Sequence, residues 1–316
     1  MYVDYGEYHG PNRIPVAGTE YPRLLANPLE VFGDLALRDV FAAFNRSDFQ
    51  EAERLAQRLA DRLYEPREAQ CLERLARGYA AWDRFDFQAA QTALADARVL
   101  LDQHSGQGGW SWAPAVTEAL SENLLGLDSL AKIEAKPNRV IDGLPLLAWY
   151  LSAAERLLAA KKISLAVLLT YAAVERYSDL CLLDDFGLDD EKPNYSTVKV
   201  KLDEQRERYV AAGKQLFGAG YKYRDPDGPL GFAAGAQLLA ALSPMRLDVG
   251  DLGTLTGLSA ARNKCEYEHG FLPKIPSDED AKRYLRKAKD VIARGCTTPA
   301  DLQRQIDAYS FPKLIS

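Results

Sequence analysis

The pattern of apolar and polar positions along the chain changes near residue 30. Residues 2–10 alternate weakly and several prolines follow, which predicts one short strand and then an extended linker. A single strand is not stable alone, so we expect its partner in a larger sheet domain or in a second chain. Beyond residue 30, apolar positions recur every three or four residues, as in the stripe Ala52, Leu55 and Leu59. We therefore predict an all-α chain with a short N-terminal strand and linker.

A helical-hairpin repeat is visible in the next hundred residues. Residues 44–52 (FNRSDFQEA) match residues 82–90 (WDRFDFQAA) at an offset of 38 residues, 82 minus 44. In such repeats the Asp begins the second helix of a pair, and the aromatic residues fill the space between helices. Two units are too few for a free solenoid. We predict a helical-repeat spacer over residues 34–136 that packs on the rest of the chain, with a peptide-binding groove as the alternative.

The strongest helical pattern lies in the C-terminal half. Pro137 and Asn138 mark a break, and we place a domain boundary there. Residues 164–183 are apolar on most sides, which predicts a buried helix at the centre of a domain over residues 137–316. Glu175 and Arg176 interrupt the apolar run, and either they pair with polar groups of a neighbouring helix or each faces solvent.

One segment combines unusual chemistry with helical spacing. Gly270 predicts the end of a helix that contains Arg262 and His269. At 100° per residue these two side chains lie about 20° apart and two turns apart. Leu255 and Leu258 fall on the same side, so a cation and an imidazole share an apolar stripe.

Two interpretations of this stripe are open. Charged groups avoid full burial unless they are paired. In the first interpretation Arg262 pairs with Glu266 four residues on, and His269 caps the end of the helix. In the second, the stripe lines a cleft or an interface with a partner.

Composition limits the function classes. The chain has 316 residues and a net charge of −6, which argues against a broad basic surface that coats nucleic acid. A small basic cleft is still compatible with this charge. The cations and aromatic residue best placed for phosphate or base contacts are Lys264, Arg176, Tyr223 and Arg224, although each alone is more often part of a solvated face.

The cysteines and the N-terminus favour a cytoplasmic protein without a bound cofactor. Cys71, Cys181, Cys265 and Cys296 are far apart and show no CxxC spacing, so we expect reduced thiols and no metal site. No signal peptide is visible, because Met1 is not followed by a basic and then an apolar run. We expect no membrane span.

The segment that begins with Arg262-Asn263 and ends with His269-Gly270 resembles the motif of HEPN ribonucleases, an Arg and a His separated by four to six residues. Residues 15–21 and 27–34 resemble the segment that leaves the sensor domain in CRISPR-associated CARF–HEPN proteins of type III systems. In that family a CARF domain binds cyclic oligoadenylate and activates the ribonuclease in antiviral defence. The resemblance implies that residues 1–33 are a remnant of a CARF domain that is otherwise missing, and that residues 137–316 are a HEPN-like domain.

The resemblance also implies roles for the motif. Cleavage of RNA by its own 2′-hydroxyl needs proton transfer near neutral pH, which imidazole supplies, and charge stabilisation, which a guanidinium supplies. His269 is expected to transfer protons, Arg262 to hold the phosphate and Asn263 to orient either of them. A homodimer would bring two motifs into one site on single-stranded RNA. The alternatives are a non-catalytic helical scaffold or dimerisation module, and a toxin-type HEPN ribonuclease controlled by an antitoxin.

Overall fold

The chain folds mainly into α-helices, as the sequence predicts. The computed structural model describes residues 2–11, 13–23, 28–104, 109–133, 137–265 and 274–315. Helices account for 68% of it. The α-helices of the described residues are α1 Pro28–Asn45, α2 Phe49–Ala60, α3 Arg67–Asp83, α4 Phe87–Gln103, α5 Ala113–Ala131, α6 Val140–Ala159, α7 Ile163–Phe186, α8 Lys199–Glu204, α9 Arg206–Phe217, α10 Phe232–Leu242, α11 Leu252–Lys264, α12 Asp278–Ala293 and α13 Pro299–Ala308. Within these residues, no helix combines the length and the apolar character that crossing a bilayer requires.

The N-terminal segment is a nested pair of hairpins. Its strands are β1 Tyr2–Tyr5, β2 Tyr8–His9, β3 Ile14–Pro15 and β4 Glu20–Arg23. The outer strands β1 and β4 pair antiparallel, and so do the inner strands β2 and β3. The prediction of one strand followed by an extended linker is therefore wrong. Gly10 and Gly18 adopt left-handed φ angles of 65° and 84°, which let the chain reverse and supply the missing partner strand from residues 20–23.

The described helices group into two compact units. The first comprises residues 1–80, 93–115 and 313–316, and the second comprises residues 81–92 and 116–312. The division of the sequence into segments 1–33, 34–136 and 137–316 stays a prediction.

The first unit has an aromatic core. The ring of Phe44 packs edge-on against Phe49 at 5.1 Å and against Tyr79 at 5.6 Å, measured between ring centroids. A second buried ring, that of Trp112, donates its indole N–H to Glu68 at 2.7 Å. These contacts bury large aromatic surfaces while giving the one polar group of Trp112 a partner.

The repeat has the same backbone geometry in both copies. Ser47 and Phe85 occupy the same place in the two turns and have left-handed φ angles of 61° and 65°. The next residue in each copy is an aspartate. The carboxylates of Asp48 and Asp86 accept the backbone N–H three residues ahead, at 3.4 Å and 3.1 Å. The prediction that Asp begins the second helix of each pair is confirmed.

The second unit is organised around α7. This helix packs against α6, α10, α11 and α12, and Val174 and Cys181 on it are fully buried. The prediction of a buried helix over residues 164–183 is confirmed, with bounds of Ile163–Phe186. The helix ends at Gly187, whose φ angle of 64° forms a left-handed cap. Helix α11, which carries Arg262 and Asn263 of the predicted motif, therefore packs directly against α7.

A buried carboxylate joins the start of α11 to α12. Asp251 is 5% exposed, and it accepts hydrogen bonds from Lys287 at 3.0 Å and from Arg294 at 2.6 Å. Its second oxygen also accepts the backbone N–H of Asp248 at 3.1 Å. A buried carboxylate needs such partners, so this cluster fixes the start of α11 relative to α12.

Candidate functional site

The helix that carries the predicted motif ends earlier than the sequence predicts. Helix α11 ends at Lys264, and Cys265 is extended, with φ −72° and ψ 167°. The prediction of one continuous helix through residue 270 is therefore wrong, and so is the argument that placed Arg262 and His269 on one helical face. His269 itself, together with Glu266, lies outside the described residues.

A backbone hydrogen bond to a distant residue marks the end of α11. In a continuing α-helix the carbonyl of Lys264 would accept the N–H four residues ahead. Here it accepts the N–H of Lys274, ten residues ahead, at 2.7 Å. Cys265 follows directly and is 1% exposed, so its side chain is anchored in the core. The two described ends of the segment that contains His269 are thus held together beside the last turn of α11.

Arg262 lies on the apolar stripe that the sequence predicts. Leu255 and Leu258 on this stripe are fully buried, whereas Arg262 is half-buried. Its guanidinium carbon lies 5.0 Å from the centroid of the Tyr171 ring on α7. The other neighbour of that ring is Phe232 on α10, at a centroid distance of 4.6 Å. The cation is therefore held against an aromatic face within the protein, where cation–π attraction is stronger than in open water.

Tyr171 connects Arg262 to a carboxylate. The phenol O–H of Tyr171 donates to Glu175 at 3.0 Å, one turn further along α7. Burial raises the pKa of Tyr171, and the charge of Glu175 raises it further. The phenol therefore stays protonated and keeps donating over the neutral pH range. Glu175 is half-buried, and this hydrogen-bond partner lies on its own helix, so the contact does not supply the predicted pairing with a polar group of α11.

The end of α11 presents polar groups to solvent. The guanidinium of Arg262 donates to the side-chain oxygen of Asn263 at 3.0 Å. Asn263 and Lys264 are both exposed. Arg262, Asn263 and Lys264 thus share the last turn of the helix, and two of them are accessible to a large ligand. The guanidinium is held by Tyr171 on one side and by Asn263 on another.

The structure places the other predicted RNA-binding residues elsewhere. Arg176 is exposed on α7 and forms ion pairs with Asp179 at 3.6 Å and with Asp190 at 3.8 Å. It therefore faces solvent and neighbouring carboxylates, as the second alternative for it predicted. Two carboxylates beside Arg176 offset its charge and weaken its attraction for a phosphate.

Tyr223 and Arg224 lie in the connection between α9 and α10. The guanidinium of Arg206 covers the Tyr223 ring at 4.1 Å, and the Tyr223 hydroxyl donates to Asp225 at 2.9 Å. Burial and this hydrogen bond raise the pKa of Tyr223 to about 12. Arg224 is exposed. These residues form a second cluster, in which a cation of the chain itself already occupies a face of the tyrosine ring.

Sequence analysis missed Tyr171 as part of the site. Tyr171 and Glu175 are four residues apart in the most apolar stretch of the chain, which is the spacing at which side chains on a helix meet. That spacing was a usable signal for a polar pair on the buried helix. The contact with Arg262 was not visible, because 91 residues separate the two along the chain, 262 minus 171.

Comparison with known families finds one match, and it lies outside this site. Residues 32–122 match the family model of the Csm6 6H domain. The matched segment runs from within α1 to within α5, in the part of the chain that the sequence predicted to be a helical spacer. No curated protein was found to match the chain. In these helices the chain is similar to the 6H domain of Csm6-type CRISPR-associated proteins.

Proposed function

We propose that the chain is a metal-independent endoribonuclease of HEPN type, which cleaves single-stranded RNA in a type III CRISPR defence system. The observation that carries this proposal is the environment of Arg262, a half-buried guanidinium held against Tyr171 at the end of α11. The segment with His269 begins directly after that helix and returns to it at Lys274. The match of residues 32–122 to the Csm6 6H domain supports the same assignment.

The chemistry of this proposal requires only groups that the chain supplies. The 2′-hydroxyl of a ribose attacks the adjacent phosphorus, and the bond from phosphorus to the 5′-oxygen breaks. The products are a 2′,3′-cyclic phosphate and a 5′-hydroxyl. His269 takes the proton from the 2′-hydroxyl, and a second imidazole gives a proton to the leaving oxygen. Arg262 stabilises the charge on the non-bridging oxygens by bidentate hydrogen bonds.

The contacts of Arg262 suit this role. Holding the guanidinium between the Tyr171 ring and Asn263 fixes the plane of the fork before substrate binds. A preorganised donor loses less side-chain entropy on binding than a free surface arginine does. We therefore assign Tyr171 as a positioning residue for Arg262, and Glu175 as the group that orients Tyr171.

A second copy of the chain completes the proposed site. Each chain supplies one Arg262 and one His269, whereas the mechanism needs both an acid and a base. A two-fold symmetric homodimer would bring two motifs onto one phosphodiester. In this proposal cyclic oligoadenylate acts through a CARF domain and not through the helices described here.

Cleavage of a labelled single-stranded RNA in EDTA tests the proposal. Wild type should cleave and leave a 2′,3′-cyclic phosphate. Loss of positioned proton transfer in His269→Ala should lower the rate by about 10²- to 10⁴-fold, and Arg262→Ala should lower it by about 10²-fold or more. His9→Ala, which changes an exposed histidine on β2, is the matched control and should cleave like wild type.

Two results would contradict the proposal. The first is unchanged cleavage by His269→Ala, and the second is cleavage by wild type that EDTA abolishes. A chain that forms dimers in solution but cleaves no RNA would instead support the scaffold alternative.

A further inference from the structure

A groove of about 460 Å³ lies between α6 and α12, within the second unit. It is lined by Glu155, Leu158, Ala159, Lys161, Lys282, Leu285, Arg286 and Lys289. Four of these eight residues are cations, although the chain as a whole carries a net charge of −6. The groove is therefore a positively charged surface on a chain whose net charge is negative.

The groove is formed by two opposed helix faces. On α12 its residues occupy positions 282, 285, 286 and 289, which form one face of a helix. On α6 they occupy positions 155, 158 and 159, again one face. Leu158 and Leu285 are 7% and 5% exposed, so they form an apolar floor. The cations stand at the rims, where Lys161 follows the end of α6.

The carboxylates near the groove do not neutralise its cations. Lys161 and Lys282 share one carboxylate, that of Asp278, at 3.3 Å and 2.5 Å. Lys289 pairs with Glu155 at 2.5 Å. The remaining cation, Arg286, is exposed and forms no ion pair with any residue that the structure describes. The four cations of the groove thus face two carboxylates, which leaves an excess of positive charge in the groove.

We propose that this groove binds the phosphodiester backbone of single-stranded RNA. The proposal rests on the proposed function, because it extends the contact with the same substrate beyond the Arg262 site. Phosphate contacts by Lys and Arg provide most of the sequence-independent affinity for nucleic acid. The concave shape and the apolar floor also suit a flexible strand with exposed bases and riboses.

The spacing of the cations favours a strand over a single small anion. Lys282 and Lys289 are seven residues apart on α12, which corresponds to a rise of about 10 Å. A site for one phosphate would need its cations to converge on one point, whereas these follow the length of the groove. A membrane surface is disfavoured, because the apolar residues of the groove, Leu158 and Leu285, are buried and cannot insert into a bilayer.

The groove and the Arg262 site lie on different sides of α12. The Tyr284 hydroxyl of α12 approaches Gly257 of α11 closely, since a Cβ at Gly257 would lie 3.1 Å from it. Residues 282, 286 and 289 lie on the side of α12 that borders α6. The groove therefore supplies a second contact with the RNA, distinct from the reacting phosphate, and contributes to affinity rather than to the chemical step.

Binding and cleavage can be measured separately. Fluorescence anisotropy with a labelled oligouridine whose riboses are 2′-O-methylated reports binding in EDTA, because this RNA has no free 2′-hydroxyl to attack. The variant Lys282→Gln with Arg286→Gln removes two groove cations. The control variant Lys132→Gln with Arg304→Gln removes the same charge from two exposed residues. Lys132 directly follows α5 and pairs with Asp128, and Arg304 lies on α13 and pairs with Asp301.

The groove variant should bind this RNA about 10- to 30-fold more weakly than wild type near 0.1 M salt, and its plot of log K against log salt should be shallower by about 1.4. The control should stay within about twofold. If the double variant does not fold, Arg286→Gln alone removes no ion pair and should reduce the slope by about 0.7. An unchanged affinity and slope, an equal loss in the control, or groove-dependent binding of phosphatidylserine vesicles in place of RNA would overturn the proposal.

The same data separate this inference from the proposed function. Arg262→Ala should lose cleavage of unmodified RNA, whereas the groove variant should lose affinity for the methylated RNA. If wild type binds the methylated RNA through the groove but cleaves no RNA, the proposed nuclease activity is refuted and the proposed RNA binding by the groove stands. If wild type cleaves RNA but the groove variant binds the methylated RNA as well as wild type does, the proposed RNA binding by the groove is refuted and the proposed nuclease activity stands.

Discussion

At the scale of single residues, two charged side chains of the second unit, Arg262 and Asp251, are stabilised in different ways. Arg262 is held against the Tyr171 ring and keeps contact with solvent. Asp251 is withdrawn from solvent and is held by Lys287 and Arg294. The first arrangement leaves a cation accessible to a ligand, and the second uses both oxygens of a carboxylate for structure. Arg262 is therefore a candidate site residue, whereas Asp251 is a structural one.

Asp251 predicts a loss of stability in acid. Burial alone would raise the pKa of Asp251, but hydrogen bonds from Arg294 and Lys287 outweigh burial and hold it below its ordinary value of 3.8. Because the pKa is lower in the folded chain, the stabilisation is complete above the unfolded pKa and is lost as the pH falls through the folded pKa. Asp251→Asn should therefore lower the free energy of unfolding by about 3 kcal/mol at pH 7.

Urea titrations of wild type and variant between pH 2.5 and pH 7 would check this prediction. The difference between the two proteins should shrink below about pH 4, where the carboxylate of the unfolded chain becomes protonated. Asp227→Asn, at an exposed residue between α9 and α10, is the matched control and should lose no stability relative to wild type. A difference for Asp251→Asn that does not change with pH would contradict the role of its charge.

At the scale of secondary-structure elements, close helix packing depends on a glycine in α5. A Cβ at Gly126 would lie 2.5 Å from a ring carbon of Tyr309, which follows α13. The Tyr309 ring is 2% exposed and packs against Trp82 at 6.0 Å, so it has little room to move. Because residue 126 has no side chain, α5 can pack closely against the end of α13.

Gly126→Ala should destabilise the chain although alanine favours helices. The added methyl group overlaps a buried ring, and overpacking of this kind costs about 1–3 kcal/mol. Gly253→Ala on α11 is the matched control, because its Cβ would meet only the Gln215 side chain at 3.9 Å. That change should be neutral or stabilise by up to about 1 kcal/mol, through helix propensity. Equal thermal unfolding midpoints for the two variants would contradict the packing argument.

The elements also show where sequence patterns were sufficient. The repeat predicted the aspartate caps of α2 and α4 correctly, because capping is a local interaction between residues three apart. The end of α11 was predicted too late, because it depends on the Lys274 N–H, ten residues away from Lys264. The pairing of β1 with β4 was missed for the same reason, since spacing along the chain does not report which strand supplies the partner.

At the scale of the whole molecule, only part of the candidate functional surface was predictable. The chain has three histidines, so an arginine and a histidine near each other stood out by composition alone. The cationic groove did not, because Lys161 and Lys282 are 121 residues apart, 282 minus 161, and each belongs to an ordinary mixed-charge segment. Long-range packing of α6 against α12 is what brings these cations together. An acidic chain can thus carry a basic surface that its net charge does not reveal.

The proposed homodimer predicts a non-linear loss of activity on mixing. If each site needs His269 from two chains, only pairs of wild-type chains are fully active. Equal co-expression of wild type and His269→Ala should leave about one quarter of the activity of the same total amount of wild type, since chains pair at random. Sites complete within one chain would leave about one half. Cleavage rates over a series of ratios, with two affinity tags to verify mixed dimers, distinguish the two cases, and mixtures with His9→Ala should keep full activity. A cleavage rate that falls in proportion to the fraction of His269→Ala chains, to one half in the equal mixture, would refute the shared site. A rate that falls below this straight line would require two copies of the motif at one phosphodiester.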